Sequence, residues 1–202
     1  MSWTDKSRPS QKRVHGGRHR FEHWYRDNQI YFITSRCAEG FLAFEGAEAR
    51  AIFWSKFDQY TAAHGFVPWV TTLIGNHYHT LGYMKVGREL GEMMRQLHGS
   101  VSKLVNDVLE QSGLGRLRPF WGAKGRQDYF DGCIRDEVQC RRAYRYTITQ
   151  SVRHKVCADW RAYPDTRVNV ELERGVRRAV ELSAFLYDVP YRRYQRREGL
   201  GH

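Results

Sequence analysis

Cysteine is scarce in this chain of 202 residues, and Cys37, Cys133, Cys140 and Cys157 stand apart with no CxxC pair. That spacing argues against a zinc ribbon or a disulfide framework and leaves reduced thiols that mostly pack. Proline is thin too, at five residues, so no collagen-like or proline-rich segment exists. No apolar run reaches the ~18 residues of a membrane span, and the N-terminus is basic and polar with no apolar stretch behind it. The expectation is a cytoplasmic protein that does not enter a membrane. GxGxxG, GxxxxGK[ST] and GxSxG segments are missing. Readings built on a nucleotide-hydrolysing loop or an acyl-transfer elbow therefore have no support.

Acidic residues are also in short supply. Against 22 Asp and Glu stand 33 Lys and Arg, which leaves a net charge of +11 and a pI near 9.7. Such an excess favours a polyanionic partner, with nucleic acid first among candidates. The charge gathers at the ends. Residues 1–26 hold seven basic side chains against Asp5 and Glu22, and residues 190–202 hold four arginines against Glu198. Both ends read as phosphate-seeking arms, the plain alternative being that they keep the protein soluble. Trp24-Tyr25-Arg26 and Tyr191-Arg192-Arg193-Tyr194 interleave rings with cations, which suits base stacking combined with phosphate contact. Arg18, Arg20, Trp24, Arg26, Arg192, Arg193, Arg196 and Arg197 are the candidate DNA contacts.

With 41% hydrophobic and 14% aromatic residues the remainder can bury a real core. Residues 1–20 read as a flexible basic arm, residues 21–165 as the main domain, and residues 166–202 as a helix with a basic tail. Gln29–Arg36 is rich in β-branched and aromatic residues and predicts a strand. A helix follows near Ala47–His64, with Gly65 as its cap. Phe66–Ile74 and His77–Met84 predict a hairpin around Gly75-Asn76, with Pro68 at a strand start or edge. From Gly87 to about Gln111, Leu90, Met93, Leu97, Val101, Leu104 and Val108 recur at three and four, the mark of a long amphipathic helix. A last strand is placed between Phe120-Trp121 and Tyr129-Phe130, then helices over Arg135–Ser151 and about Val170–Tyr187. The order β-α-β-β-α-β-α fits an α+β fold, a single antiparallel sheet with helices packed on it.

His77-Tyr78-His79 carries the sharpest chemistry. Residues two apart on a strand point the same way, so both imidazoles share one face while Tyr78 enters the opposite layer. Two nitrogens do not make a metal site, and an HxH that binds nothing is the plain alternative. Tyr146 and Gln150, four apart on the helix over residues 135–151, share a face from which an amide oxygen and a phenol can reach the imidazoles. Tyr144 lies about 200° round the helix from Tyr146, in line with Cys140 and Ile148, and reads as core. An ordinary solvated tyrosine is the plain alternative for Tyr146. Cys133 and Cys140 read as structural thiols.

The segment IGNHYHTLGYM resembles the metal-binding strand of the single-tyrosine HUH transposases, in particular the REP-associated tyrosine transposases. YFITSRC, GRELGEMMRQLHGSVSKLVN, GLGRLRPFWGAKGRQDYF and IRDEVQCRRAYRYTITQSVRHKVCADWRAYP follow in that family's order, over about residues 18 to 165. The resemblance implies a ferredoxin-like HUH fold and a divalent ion, Mg2+ or Mn2+, held by His77, His79 and Gln150. It further implies Tyr146 as a nucleophile that nicks and rejoins single-stranded or hairpin DNA through a 5′-phosphotyrosine, in a cytoplasmic, nucleoid-associated protein. Ile74-Gly75 replaces the family's Met-Pro, and Gln150-Ser151-Val152 replaces its Asn-Pro-Val. A homodimer stays open, as does a domesticated protein that grips structured DNA or RNA without cutting it.

Overall fold

The layering follows from side-chain alternation on the central strands. The computed structural model describes residues 25–122 and 127–186, together with a small ribbon in which β1 (Val14–His15) pairs with β2 (Arg18–His19). Strands β3 (Gln29–Arg36), β4 (Phe66–Ile74) and β5 (His77–Met84) lie where alternation and the Gly75-Asn76 turn predict them. With β6 (Phe130–Cys133) and β7 (Thr166–Val168) they build one sheet in the order β6-β3-β5-β4-β7, antiparallel throughout. The helices α1 (Ala47–Ala63) and α2 (Glu89–Gln111) connect β3 to β4 and β5 to β6. This is an α+β fold whose first four sheet strands follow the ferredoxin-like arrangement. Pro68 sits where the β4–β5 register shifts, and β7 pairs only with Val70–Thr72, so the missing amide costs no ladder bond on that side.

Two cores lie on the two faces of the sheet. Tyr31, Ile33, Leu73 and Tyr78 point into the layer of α1 and α2, against Phe53, Phe57, Leu97 and Val101. Ile30, Val70 and Leu81 face the other way, onto α3 (Glu137–Ile148) and α5 (Leu172–Glu181), against Cys140, Tyr144 and Val176. All four cysteines are free. No helix among the described residues is long and apolar enough to cross a membrane.

Four elements depart from the sequence pattern. The last strand of the ferredoxin-like set lies at Phe130–Cys133, past the aromatic cluster, because Trp121 makes only an isolated bridge to Cys37. The helix expected over Arg135–Ser151 is two pieces. Asp136 caps α3 by accepting from the Gln139 amide at 2.8 Å, a bond worth about 1 kcal/mol. At Thr149 the backbone leaves helical geometry and α4 (Gln150–Arg153) begins. The C-terminal helix is shorter than Val170–Tyr187, starting after Glu171 and ending before Ser183, whose φ of 51° breaks it. Strand β7 carries no alternation signal in three residues. Tertiary contacts hold it instead: buried Asp165 accepts from the Trp54 indole at 2.7 Å and pairs with Arg50 at 3.3 Å.

Candidate active site

The sheet register sets His77 opposite Arg36 and Ile74, and His79 opposite Thr34 and Thr72. Both imidazoles are buried. The Asn76 carboxamide donates through Nδ2 to the Gly40 carbonyl at 2.8 Å, which turns its oxygen toward His77. The Nδ1–H of His77 therefore donates to Asn76 Oδ1 at 2.6 Å, and the Nε2 lone pair is left for a ligand. At His79 the same atom meets the Thr34 hydroxyl, and the same tautomer follows when the ring donates. Two second-layer oxygens thus orient two nitrogens.

Helix α3 brings Tyr146, and the start of α4 brings Gln150, to this side of the sheet. The Tyr146 ring stands edge-on to His79 with centroids 5.1 Å apart, and edge-on to Phe32 at 6.0 Å. It remains 38% exposed, so the phenol is open to a substrate. Tyr144 is buried, donates to the Val170 carbonyl at 3.0 Å, and has its pKa pushed up to about 12, chiefly by burial. Gln150 is buried and donates through Nε2 to the Tyr146 carbonyl at 2.9 Å. Its Oε1 is buried with no hydrogen-bond partner. The carboxamide also neighbours His77 as a hydrogen-bonding group and favours its charged form, against the effect of burial.

An orphaned buried acceptor costs about 1–3 kcal/mol, so it asks for an occupant. Two neutral imidazoles and an amide oxygen form a donor set that fits a divalent cation. Among the described residues no three His, Cys, Asp or Glu side chains form a metal cluster.

Sequence reasoning missed two further members. Where the chain runs on through Ser151 into α4, the Arg153 guanidinium comes to lie 4.9 Å above the Tyr146 ring centroid, and the His154 ring lies 4.8 Å from His77. The signal was there: Gln150 and His154 are four apart, a spacing that shares a face once the helical turn continues past residue 151. The basic side chains acting on the histidine pair are His154, Arg36 and Arg153, and among the described residues no acidic one acts on it.

Burial is the main cause that holds His77 down at about 4 and His79 at about 3, with the neighbouring basic groups adding to it. Both folded values lie below the ordinary 6.5, so the unfolded chain takes up protons first and stability falls as pH drops. The loss begins near 6.5 and runs through about 4 for His77 and about 3 for His79. Thermal unfolding followed by circular dichroism should show Tm decreasing across that window, with a shallower fall in His79→Asn.

On the other face of β5, Tyr78 bonds to His98 Nε2 at 3.0 Å, and His98 Nδ1 bonds to Asp128 at 2.9 Å. Trp121 stacks on His98 with centroids 4.4 Å apart. This chain anchors the residue between the two candidate ligands from below. Of the candidate DNA contacts, Arg26 is exposed near Gly87, at the end of the sheet away from the histidine pair. Arg18 lies in β2 with its side chain undescribed, and Arg20, Trp24, Arg192, Arg193, Arg196 and Arg197 lie outside the described residues.

No family model matches the sequence, and no curated protein matches it. Among solved structures, a REP-associated tyrosine transposase bound to a REP hairpin superimposes with a TM-score of 0.60. The two share a fold. Sequence identity is 13%, and the match covers 79% of this chain and 88% of that one.

Proposed function

We propose that this chain is a metal-dependent transposase of the single-tyrosine HUH kind, cutting and rejoining single-stranded or hairpin DNA in the cytoplasm. What supports the reading most is one arrangement: the Tyr146 ring packs on His79, over the sheet face that also carries His77, and Gln150, whose side-chain oxygen is unpartnered, neighbours His77 from α4. The solved structure with the same fold holds a DNA hairpin, and the net charge of +11 suits such a partner.

In the proposed reaction the Tyr146 Oη loses its proton and bonds to the scissile phosphorus, the P–O3′ bond breaks, and the 3′ oxygen departs to become a free hydroxyl. The strand downstream of the nick stays on the protein as a 5′-phosphotyrosine. Because one phosphodiester replaces another, a 3′-OH can reverse the step onto a new strand without ATP. Mg2+ or Mn2+, held by His77, His79 and Gln150, would polarise the phosphate and offset charge gathering at phosphorus. Arg153 sets a fixed positive charge beside the phenolate as it forms. Phe32 and His79 hold the ring from two sides.

A hairpin oligonucleotide with a single-stranded flank, labelled at its 3′ end and incubated with the protein and Mn2+, tests this directly. Label should migrate with the protein in denaturing gels, whereas a 5′ label should leave on a fragment ending in 3′-OH. Binding without any adduct in either ion would instead favour a protein that grips structured nucleic acid and does not cut it.

A further inference from the structure

On the same sheet face as the histidine pair, but at its other end, an open groove of about 790 Å3 lies beside α5. Val67, Trp69 and Tyr83 supply apolar and aromatic lining, and Arg174, Arg177 and Arg178 line it from the helix. We infer that this groove is a second DNA contact, taking an unpaired base against its aromatic floor with the flanking phosphates on Arg174 and Arg177. The inference rests on the function proposed above for its choice of polyanion.

Three observations carry it. The floor is fixed before anything binds: the Tyr83 hydroxyl donates to Asn28 Oδ1 at 2.8 Å, and Asn28 Nδ2 donates to the Leu182 carbonyl at 2.6 Å, tying the ring to the end of α5. Below it, Trp69 is locked against Gly175, where an added Cβ would stand 2.7 Å from the indole. A rigid ring that loses no freedom on stacking suits a base, and stacking tolerates any sequence.

The charges point the same way. Along α5, Glu181 takes Arg178 at 3.0 Å, and Glu173 is taken by Arg141. Among the described residues Arg174 and Arg177 make no ion pair, although Arg177 feels the charge of Glu173. Spaced three apart, they share one helix face at the groove. Two uncommitted guanidiniums beside an apolar slot complement a strand with phosphates outside and bases inside. Residues 187–202 of the chain itself carry four arginines against Asp188 and Glu198, the wrong sign to fill it.

The third observation is position. Tyr83 follows His79 by four residues on β5, about 13 Å along the strand at ~3.3 Å per residue, with the same facing. A DNA molecule engaged at the histidine pair therefore has its flanking nucleotides within reach of the groove while α3 separates the two places.

The test measures affinity of the full chain for a fluorescent hairpin with a single-stranded flank, without divalent ions, across a salt series. Arg174→Gln/Arg177→Gln should weaken binding and flatten the slope of log K against log salt by about 1.4, at roughly 0.7 per lost phosphate contact. A 5-iodouracil placed along the flank should photo-crosslink to Tyr83 in the unaltered protein. Unchanged affinity and salt slope in the double variant and in Arg174→Glu/Arg177→Glu, with crosslinks only elsewhere, would overturn the groove. Failure of the nuclease reading looks different: no adduct forms, yet the double variant still binds more weakly and the crosslinks stay.

Discussion

Replacing Tyr146 with Phe should eliminate the covalent DNA–protein adduct while leaving hairpin affinity nearly unchanged. Phe keeps the ring that packs on His79 and Phe32 and removes only the oxygen that would bond to phosphorus. The rate of strand cleavage should fall by about a thousandfold or more, since no other group replaces a lost nucleophile. Tyr144→Phe is the matched control. It gives up one hydrogen bond to the Val170 carbonyl, a stability loss of about 1 kcal/mol, and should form adduct normally. Tyr129→Phe serves as a second control, because burial raises that phenol far above its ordinary pKa and a hydrogen bond with Tyr25 reinforces the shift. An adduct that persists in Tyr146→Phe and disappears in either control would reassign the nucleophile.

The second large effect concerns how the metal and the DNA depend on each other. The proposed ligands are two neutral imidazoles and a neutral amide, and the side chains acting on them, Arg36, Arg153 and His154, include no acid. A dication held there would meet no compensating charge from the ligands themselves, so a phosphate oxygen would be needed to supply it. Mn2+ affinity, read by electron paramagnetic resonance on the Tyr146→Phe protein, should therefore tighten by about 5–150-fold when hairpin DNA is present. By reciprocity Mn2+ should tighten DNA binding by the same factor. His79→Ala should abolish both changes. Equal Mn2+ affinity with and without DNA would show that the site balances its charge in another way.

The parts of the fold legible in the sequence are those whose signals are local and long. Strands β3, β4 and β5 each run eight or nine residues with aromatic and β-branched alternation, and Gly75-Asn76 fixes the hairpin between them. That register placed His77 and His79 on one face, and the i,i+4 relation of Tyr146 and Gln150 survives the break at Thr149, since the Gln150 side chain still donates to the Tyr146 carbonyl. The same arithmetic separated Tyr144 from Tyr146, as their burial shows. Legibility ended where tertiary contacts outweigh pattern. Strand β7 is three residues held by Asp165, Trp54 and Arg50, and the approach to β6 is shaped by the His98–Trp121 stack. Arg153 and His154 lie beyond Ser151, where the pattern ends the helix, and only the turn of α4 brings them round to the site.

Tyr146 lies beside the His79 of its own chain, so the proposed chemistry would be complete within one protomer. Strand cleavage should be first order in protein, with adduct yield rising linearly through dilution and no lag while protomers find one another. A mixture of Tyr146→Phe and His79→Ala proteins should not regain activity, because neither can lend its intact half to the other. With Tyr146 as the single proposed nucleophile, a protomer would hold one DNA end at a time, and joining would proceed only when an incoming 3′-OH occupies the place that the departing one has left.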